Sequence, residues 1–140
     1  MDKKQVYKGI VRSGRRAAAR FMSSDSGALK EVRQLTGLSI IPGTLNIKLT
    51  QPINLAQLNY FRCADYGWEV NLAEVGIEYE GEQGFHYGLV LVAGQYPTSI
   101  IMPNWAGDPT IDAELVSPHH LRNTLNLQDG DTVEFTLVRD

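Results

Sequence analysis

The sequence predicts a mainly β fold, namely a compact β-barrel with two or three short helices. Many short segments alternate between apolar and polar residues, and glycine, proline, asparagine or aspartate residues separate these segments. With 140 residues, of which 43% are hydrophobic, the chain is long enough to build one good core. We therefore expect a single domain over residues 1–140.

Period-two alternation predicts the strands, because successive side chains of a strand point to opposite faces of the sheet. The predicted strands are residues 5–11, 21–22, Leu45–Leu49, 75–79, 85–92, 97–102, 113–117 and 132–138. Residues 80–84 are predicted to turn between the fourth and fifth of these strands, which would then form a hairpin. Residues 128–131 predict a tight turn before the last strand.

Helical spacing of apolar residues predicts a helix over Gly27–Thr36, with Asp25 or Ser26 as its N-cap. Asn54 can cap a second, short helix over residues 54–61. A proline at the first position predicts a third helix over residues 118–125.

Composition and charge exclude several classes of protein. The net charge of −3 argues against a nucleic-acid-binding protein held by bulk electrostatics. The single cysteine, Cys63, excludes an internal disulfide and a zinc site built from several cysteines. No apolar run approaches the roughly 20 residues of a membrane helix. Residues 1–10 also lack the apolar core of a signal peptide, so we expect a cytoplasmic protein without a membrane partner.

The stretch Pro42-Gly43-Thr44-Leu45-Asn46 carries the first functional signal. Pro42 and Gly43 indicate a turn, after which Leu45, Ile47 and Leu49 are expected on one face of a strand. Thr44 and Asn46 then lie on the other face, and their oxygens suit Mg²⁺, which prefers oxygen ligands. The alternative is an ordinary strand with a polar outer face.

Two further stretches occur with this one, in a fixed order along the chain. They are Gly9-Ile10-Val11-Arg12-Ser13-Gly14, and Glu114-Leu115-Val116-Ser117-Pro118-His119-His120-Leu121-Arg122 followed by Leu127-Gln128-Asp129-Gly130-Asp131. Together the three resemble the archaeal-type CTP-dependent riboflavin kinases. The resemblance implies a six-stranded cradle-loop (RIFT-like) barrel, with residues 1–140 as one riboflavin-kinase-like domain.

The resemblance also implies an activity and a set of site residues. The family transfers the γ-phosphoryl group of CTP to riboflavin, giving FMN, and uses Mg²⁺, whose ligands match Thr44 and Asn46 here. Glu114 matches the carboxylate that contacts the flavin, and it would orient the acceptor hydroxyl or take its proton. The nucleotide-binding residues would be Ser13, Gly14, Arg15, Arg16, Ala17, Ala18, Arg20, His120, Leu121 and Arg122. The oligomeric state stays open.

Two departures from the family pattern leave an alternative function open. Arg16 and Ala18 stand where the family has glycines, so a Cβ atom occupies positions where the backbone would approach phosphates closely. The arginines of this loop could bind phosphate oxygens instead, or the loop could be a solvated basic loop without a ligand. The stretch of residues 105–108 lacks the family's flavin-contacting hydroxyl. The alternative is a non-enzymatic barrel that binds a flavin, a nucleotide or a protein.

Overall fold

The computed structural model describes residues 5–12, 27–67 and 71–138, and within them a sheet of seven strands with two helices. The strands are β1 (Val6–Val11), β2 (Leu45–Leu49), β3 (Asn59–Arg62), β4 (Gly84–Val92), β5 (Tyr96–Pro103), β6 (Asp112–Val116) and β7 (Thr132–Leu137). The helices are α1 (Gly27–Thr36) and α2 (Leu121–Thr124). Single 3₁₀ turns occupy Leu55–Gln57, Cys63–Tyr66 and Leu72–Val75.

Six of the strands close into an antiparallel barrel. The strand order is β3-β4-β5-β6-β2-β1-β7, and an additional pairing of β4 with β7 closes the circle. β4 is long enough to pair with β3 near its beginning and with β7 near its end, so β3 lies outside the closed barrel. The predicted mainly β fold and its six-stranded barrel are confirmed.

The barrel interior is filled by the inward-facing residues of each strand. Leu45, Ile47 and Leu49 are 6%, 0% and 3% exposed, which confirms their predicted inward orientation. They pack with the inward residues of the other strands in one cluster that includes Val11, Val90, Ile100, Leu115 and Phe135. The alternate residues Asn46 and Lys48 therefore face outward.

A second apolar cluster lies apart from this interior, where helix α1 contributes Val32. Its buried members are Val32, Ile40, Phe61, Cys63, Phe85, Ile101 and Val116. Ile101 and Val116 alternate with interior residues of β5 and β6, so the cluster lies on the outer face of these strands. Part of the outer face is therefore covered.

Two predicted elements in the middle of the chain are wrong. Only Leu55–Gln57 of the helix predicted over residues 54–61 is helical, although Asn54 does cap it by accepting a hydrogen bond from the Ala56 N–H. The following residues form β3, because Phe61 stacks on Phe85 of β4 at a ring distance of 4.9 Å. Tertiary packing here overrides the helical spacing.

The strand predicted over residues 75–79 is also absent. Leu72–Val75 is a 3₁₀ turn that ends at Gly76 with φ of 75°, and residues 77–79 belong to no strand. The beginning of β4 therefore pairs with β3 and not with residues 75–79. The helix predicted over residues 118–125 is shortened to Leu121–Thr124, and the strand predicted over residues 21–22 lies outside the described residues.

Candidate functional site

The pairing of β2 with β6 sets Asn46 directly opposite Glu114 on the outer face of the barrel. The register pairs Leu45 with Leu115 and Asn46 with Glu114, and both leucines point into the interior. Directly opposed side chains of an antiparallel pair have Cβ atoms about 4.5–5.5 Å apart. The predicted metal ligand Asn46 and the predicted catalytic residue Glu114 are thus neighbours, and both are half-buried.

The turn before β2 is tied to the segment after β6. Gly43 adopts a φ of 97°, which glycine tolerates without a steric penalty. The Ile41 N–H donates to the Ser117 carbonyl over 3.0 Å. The Ser117 hydroxyl is buried, donates to the Pro97 carbonyl and accepts from the His119 N–H. Ser117 therefore fixes the start of the segment that leads to α2.

Between these two segments is a pocket of about 120 Å³. Its lining includes Thr44 on one side and residues 119–122 on the other, so the predicted ligand Thr44 lies beside the predicted nucleotide-binding residues His120, Leu121 and Arg122. Small-molecule sites are usually about 300–1,000 Å³. The described residues alone thus enclose room for part of a nucleotide.

Arg122 links this pocket to the turn before β7. Its guanidinium donates to the Asp129 carboxylate over 3.1 Å. The turn in turn holds the end of β1, because the Gly130 N–H donates to the Val11 carbonyl and the Val11 N–H donates to the Asp131 carbonyl, over 2.7 and 2.8 Å. The end of β1, which the arginine-rich segment follows in the sequence, is therefore near Arg122.

Arg12 connects the end of β1 to the Asn46–Glu114 pair. Its N–H donates to the Asn46 carbonyl over 3.0 Å. Its guanidinium Nη2 lies 2.8 Å from Oδ1 of Asp112, which precedes Glu114 by two residues on β6. Asp112 and Glu114 consequently lie on the same outer face of β6, and Arg12 contacts the first of these two residues.

Burial changes the proton affinity of Glu114. Desolvation raises the pKa of its carboxyl to about 7, while the positive charge of Arg12 acts to lower it. A carboxyl with this pKa is partly ionised at neutral pH. Its ionised form accepts a proton more readily than a carboxylate of ordinary pKa does.

The donor set around Asn46 suits a hard cation. Among the described residues no group of three histidine, cysteine, aspartate or glutamate side chains could hold a metal. Thr44 and Asn46 offer neutral oxygens instead; both are half-buried, and Thr44 lines the pocket. Such a pair fits Mg²⁺ that arrives on nucleotide phosphates and keeps several waters. That both oxygens converge on one point stays a prediction.

Several predicted site residues cannot be located. Ser13, Gly14, Arg15, Arg16, Ala17, Ala18 and Arg20 lie outside the described residues.

In the stretch of residues 105–108, the Asp108 N–H donates to Asp112 over 2.7 Å. Asp108 also accepts a 2.6 Å hydrogen bond from the hydroxyl of Thr110. This loop thus supports Asp112.

Sequence reasoning missed Asp112 and Ser117. Asp112 lies one residue before the strand predicted over residues 113–117, and its spacing of two residues from Glu114 was the available signal. Nothing in the sequence distinguishes Ser117 from an ordinary loop serine.

No helix within the described residues is long and apolar enough to span a membrane.

Comparisons with known proteins agree on one family. The family model CTP-dep_RFKase, described as "Domain of unknown function DUF120", matches residues 11–137. The chain is 34% identical over 139 residues to the riboflavin kinase of Methanospirillum hungatei, covering 97% of this chain and 60% of that protein. For the riboflavin kinase of Pyrobaculum islandicum the identity is 33% over 132 residues, with coverages of 92% and 58%. The chain spans about six tenths of the length of these relatives.

Replacing Glu114 by glutamine should stabilise the fold in a pH-dependent way. The folded state raises the Glu114 pKa from 4.5 to about 7, so ionisation destabilises the native state increasingly between these values and by a constant amount above them. Relative to wild type, Glu114→Gln should gain about 1–3 kcal/mol in free energy of unfolding at pH 8 and little at pH 4. Urea denaturation at both pH values measures this, with Glu134→Gln on the exposed face of β7 as control. An equal effect at both pH values would contradict the assigned pKa.

Proposed function

The chain belongs to the CTP-dependent riboflavin kinase family, and we propose that it transfers the γ-phosphoryl group of CTP to the 5′-hydroxyl of riboflavin, giving FMN. The observation that carries this proposal is the pairing of Asn46 with Glu114 on the outer face, because Leu45 and Leu115, their neighbours in the chain, line the pocket with Thr44 and residues 119–122. The riboflavin hydroxyl and the γ-phosphate of CTP could then meet at one place on the outside of the barrel. The proposed domain is the whole of residues 1–140.

The nucleotide side of the proposed site is the pocket and its basic surroundings. Phosphoryl transfer needs little covalent chemistry from the protein, and positioning with charge neutralisation supplies most of the catalysis. Arg122 is half-buried at the pocket, and its Nη2 donates to Asp129, which leaves other guanidinium N–H donors for phosphate oxygens. Arg15 and Arg16, which lie outside the described residues, would add to this charge.

Glu114 is the proposed proton acceptor for the riboflavin hydroxyl. A general base works best when its pKa is near the working pH, and the pKa of about 7 supports this role. The carboxylate would also hold the hydroxyl in line with the phosphoryl group by accepting its hydrogen bond. The residue opposite Glu114 on the other neighbouring strand, Ile101, is apolar and 8% exposed, which limits water around the carboxyl.

Thr44 and Asn46 would hold Mg²⁺, which would supply charge neutralisation at the phosphates when bound. Their positions are set by the protein before any ligand arrives. Asn46 is held in a strand between β1 and β6, and Thr44 follows the Gly43 turn. The neutral pair would bind the ion weakly without a nucleotide.

A non-enzymatic barrel of the same family is the second candidate. Its support is the pair of substitutions Arg16 and Ala18, which put side chains where glycines would leave the backbone bare. Such a protein would bind a flavin or a nucleotide without turnover. The two candidates differ in whether FMN is formed.

The role of Glu114 predicts both a rate and a pH profile. Glu114→Gln should lower kcat for FMN formation by about 10²–10⁴-fold, the usual contribution of a general base. In the wild type, kcat should rise with pH until about pH 7 and then level off, because only the ionised carboxylate accepts a proton. Chromatographic assay of FMN from riboflavin and CTP measures both, and Glu134→Gln should keep the wild-type rate. A Glu114→Gln variant with wild-type kcat would remove Glu114 from the mechanism.

The role of Asn46 predicts a dependence on metal concentration. Asn46→Ala should raise the Mg²⁺ concentration for half-maximal FMN formation by at least about tenfold, the scale on which even outer-shell partners change metal affinity. Thr50→Ala removes a hydroxyl four residues further along the same face and should leave this concentration unchanged. An unchanged Mg²⁺ requirement in Asn46→Ala would favour the ordinary polar face.

A further inference from the structure

Arg12 lies at the end of β1, next in the sequence to the arginine-rich segment of residues 13–20. It follows β1 directly, and its N–H donates to the Asn46 carbonyl over 3.0 Å. This backbone bond extends the pairing of β1 with β2 by one residue. Arg12 therefore stands beside Asn46, on the side of Asn46 opposite to Glu114.

The Arg12 side chain is anchored by a buried carboxylate. Its Nη2 lies 2.8 Å from Oδ1 of Asp112, and the other carboxylate oxygen accepts the Asp108 N–H over 2.7 Å. Oδ2 of Asp112 is thus held by a hydrogen bond, whereas the buried Oδ1 accepts no hydrogen bond and has the Arg12 ion pair as its polar contact. A buried carboxylate without a cation would be costly, so Asp112 holds the guanidinium firmly.

The two partners of this ion pair differ in exposure. The Asp112 side chain is 11% exposed, whereas the Arg12 side chain is 44% exposed. A guanidinium carries five N–H donors, and one carboxylate oxygen engages only part of them. The pair therefore presents an oriented cation with open donors at the surface, next to the proposed metal and acceptor residues.

The surrounding charges leave room for an anion. Lys48 lies opposite Asp112 in the register and is exposed, so this face carries the cations Arg12 and Lys48 against the carboxyls of Asp112 and Glu114. The charge of Arg12 also acts on Glu114 and favours its ionised form, although desolvation outweighs this effect and the pKa is raised overall. The two cations are exposed whereas Asp112 is buried, so an approaching phosphate group would meet the cations first.

We propose that Arg12 binds a phosphate group of the nucleoside triphosphate donor and that Asp112 is the residue that positions it. This inference rests on the proposed function and adds to it two residues outside the set that the family resemblance implies. Arginine suits this role because its planar fork can contact a carboxylate on one edge and phosphate oxygens on another. Lysine, with a single ammonium group, would have to choose between them.

The test measures CTP binding by calorimetry, in parallel with riboflavin binding by fluorescence. The variants are Arg12→Ala, Arg12→Lys, Asp112→Asn and the double variant Arg12→Ala/Asp112→Asn. The double variant removes both charges, so it replaces Arg12→Ala if the unpaired charge of Asp112 unfolds that single variant. Lys8→Ala is the matched control, because Lys8 is an exposed cation on the same face of β1, four residues earlier. Thermal unfolding of each variant reports its stability separately.

Loss of Arg12 should weaken CTP binding by about 10- to 100-fold, the scale of one charged hydrogen-bonding group. Arg12→Lys should recover only part of this affinity, and Lys8→Ala should bind CTP as the wild type does. Riboflavin binding should be unchanged in Lys8→Ala, and in the Arg12 and Asp112 variants it should change much less than CTP binding.

The sign of the Asp112→Asn effect separates positioning from simple electrostatics. Removing a negative charge near a phosphate should strengthen CTP binding if Asp112 only repels the ligand. If Asp112 positions Arg12, the same variant should weaken CTP binding, and the double variant should bind no more weakly than Arg12→Ala alone. Stronger or unchanged binding in Asp112→Asn would overturn the positioning role. Wild-type affinity in Arg12→Ala, or no CTP binding by the wild type, would overturn the phosphate contact.

These results are independent of turnover. CTP binding that depends on Arg12, in a protein that forms no FMN, would refute the proposed kinase and keep the inference. FMN formation by a protein whose CTP affinity ignores Arg12 would do the reverse.

Discussion

A closed barrel with a filled interior is the constraint on which the rest of this structure depends. Between β1 and β2 the interior is tightly packed, because a Cβ atom added at Gly9 would lie 2.7 Å from Cδ1 of Ile47. A ligand therefore has no space between these two strands. The proposed chemistry uses outward residues of the strands instead, and Asn46 and Glu114 are such residues.

The same closure explains why motifs far apart in the sequence form one site. The strands β6, β2, β1 and β7 are consecutive in the barrel, although β2 and β6 are more than 60 residues apart in the chain. Each motif ends or begins at one of these four strands. Backbone hydrogen bonds then tie Ile41 to Ser117, Arg12 to Asn46 and Val11 to Gly130. The proposed site is thus assembled by strand pairing, and side chains add to a frame that the backbone provides.

Period-two alternation predicted the barrel strands and helical spacing predicted α1; in β1, β2 and β7 every second residue is indeed buried. These patterns failed where packing between distant residues decides the structure, as for β3, whose Phe61 is buried against Phe85. Thr44, Asn46 and Glu114 could be predicted as site residues from their resemblance to a family. The Arg12–Asp112 ion pair and the raised pKa of Glu114 could not, since both arise from contacts between strands that the sequence does not show.

The most direct measurement of the central claim follows the phosphoryl group itself. The purified chain would be incubated with riboflavin, Mg²⁺ and CTP labelled with ³²P in its γ-phosphate, and the flavin and nucleotide products would be separated. A kinase built on the Asn46–Glu114 pair predicts label in FMN and an equal amount of unlabelled CDP. Binding of riboflavin and CTP without any label in the flavin would contradict the kinase and leave the non-enzymatic barrel.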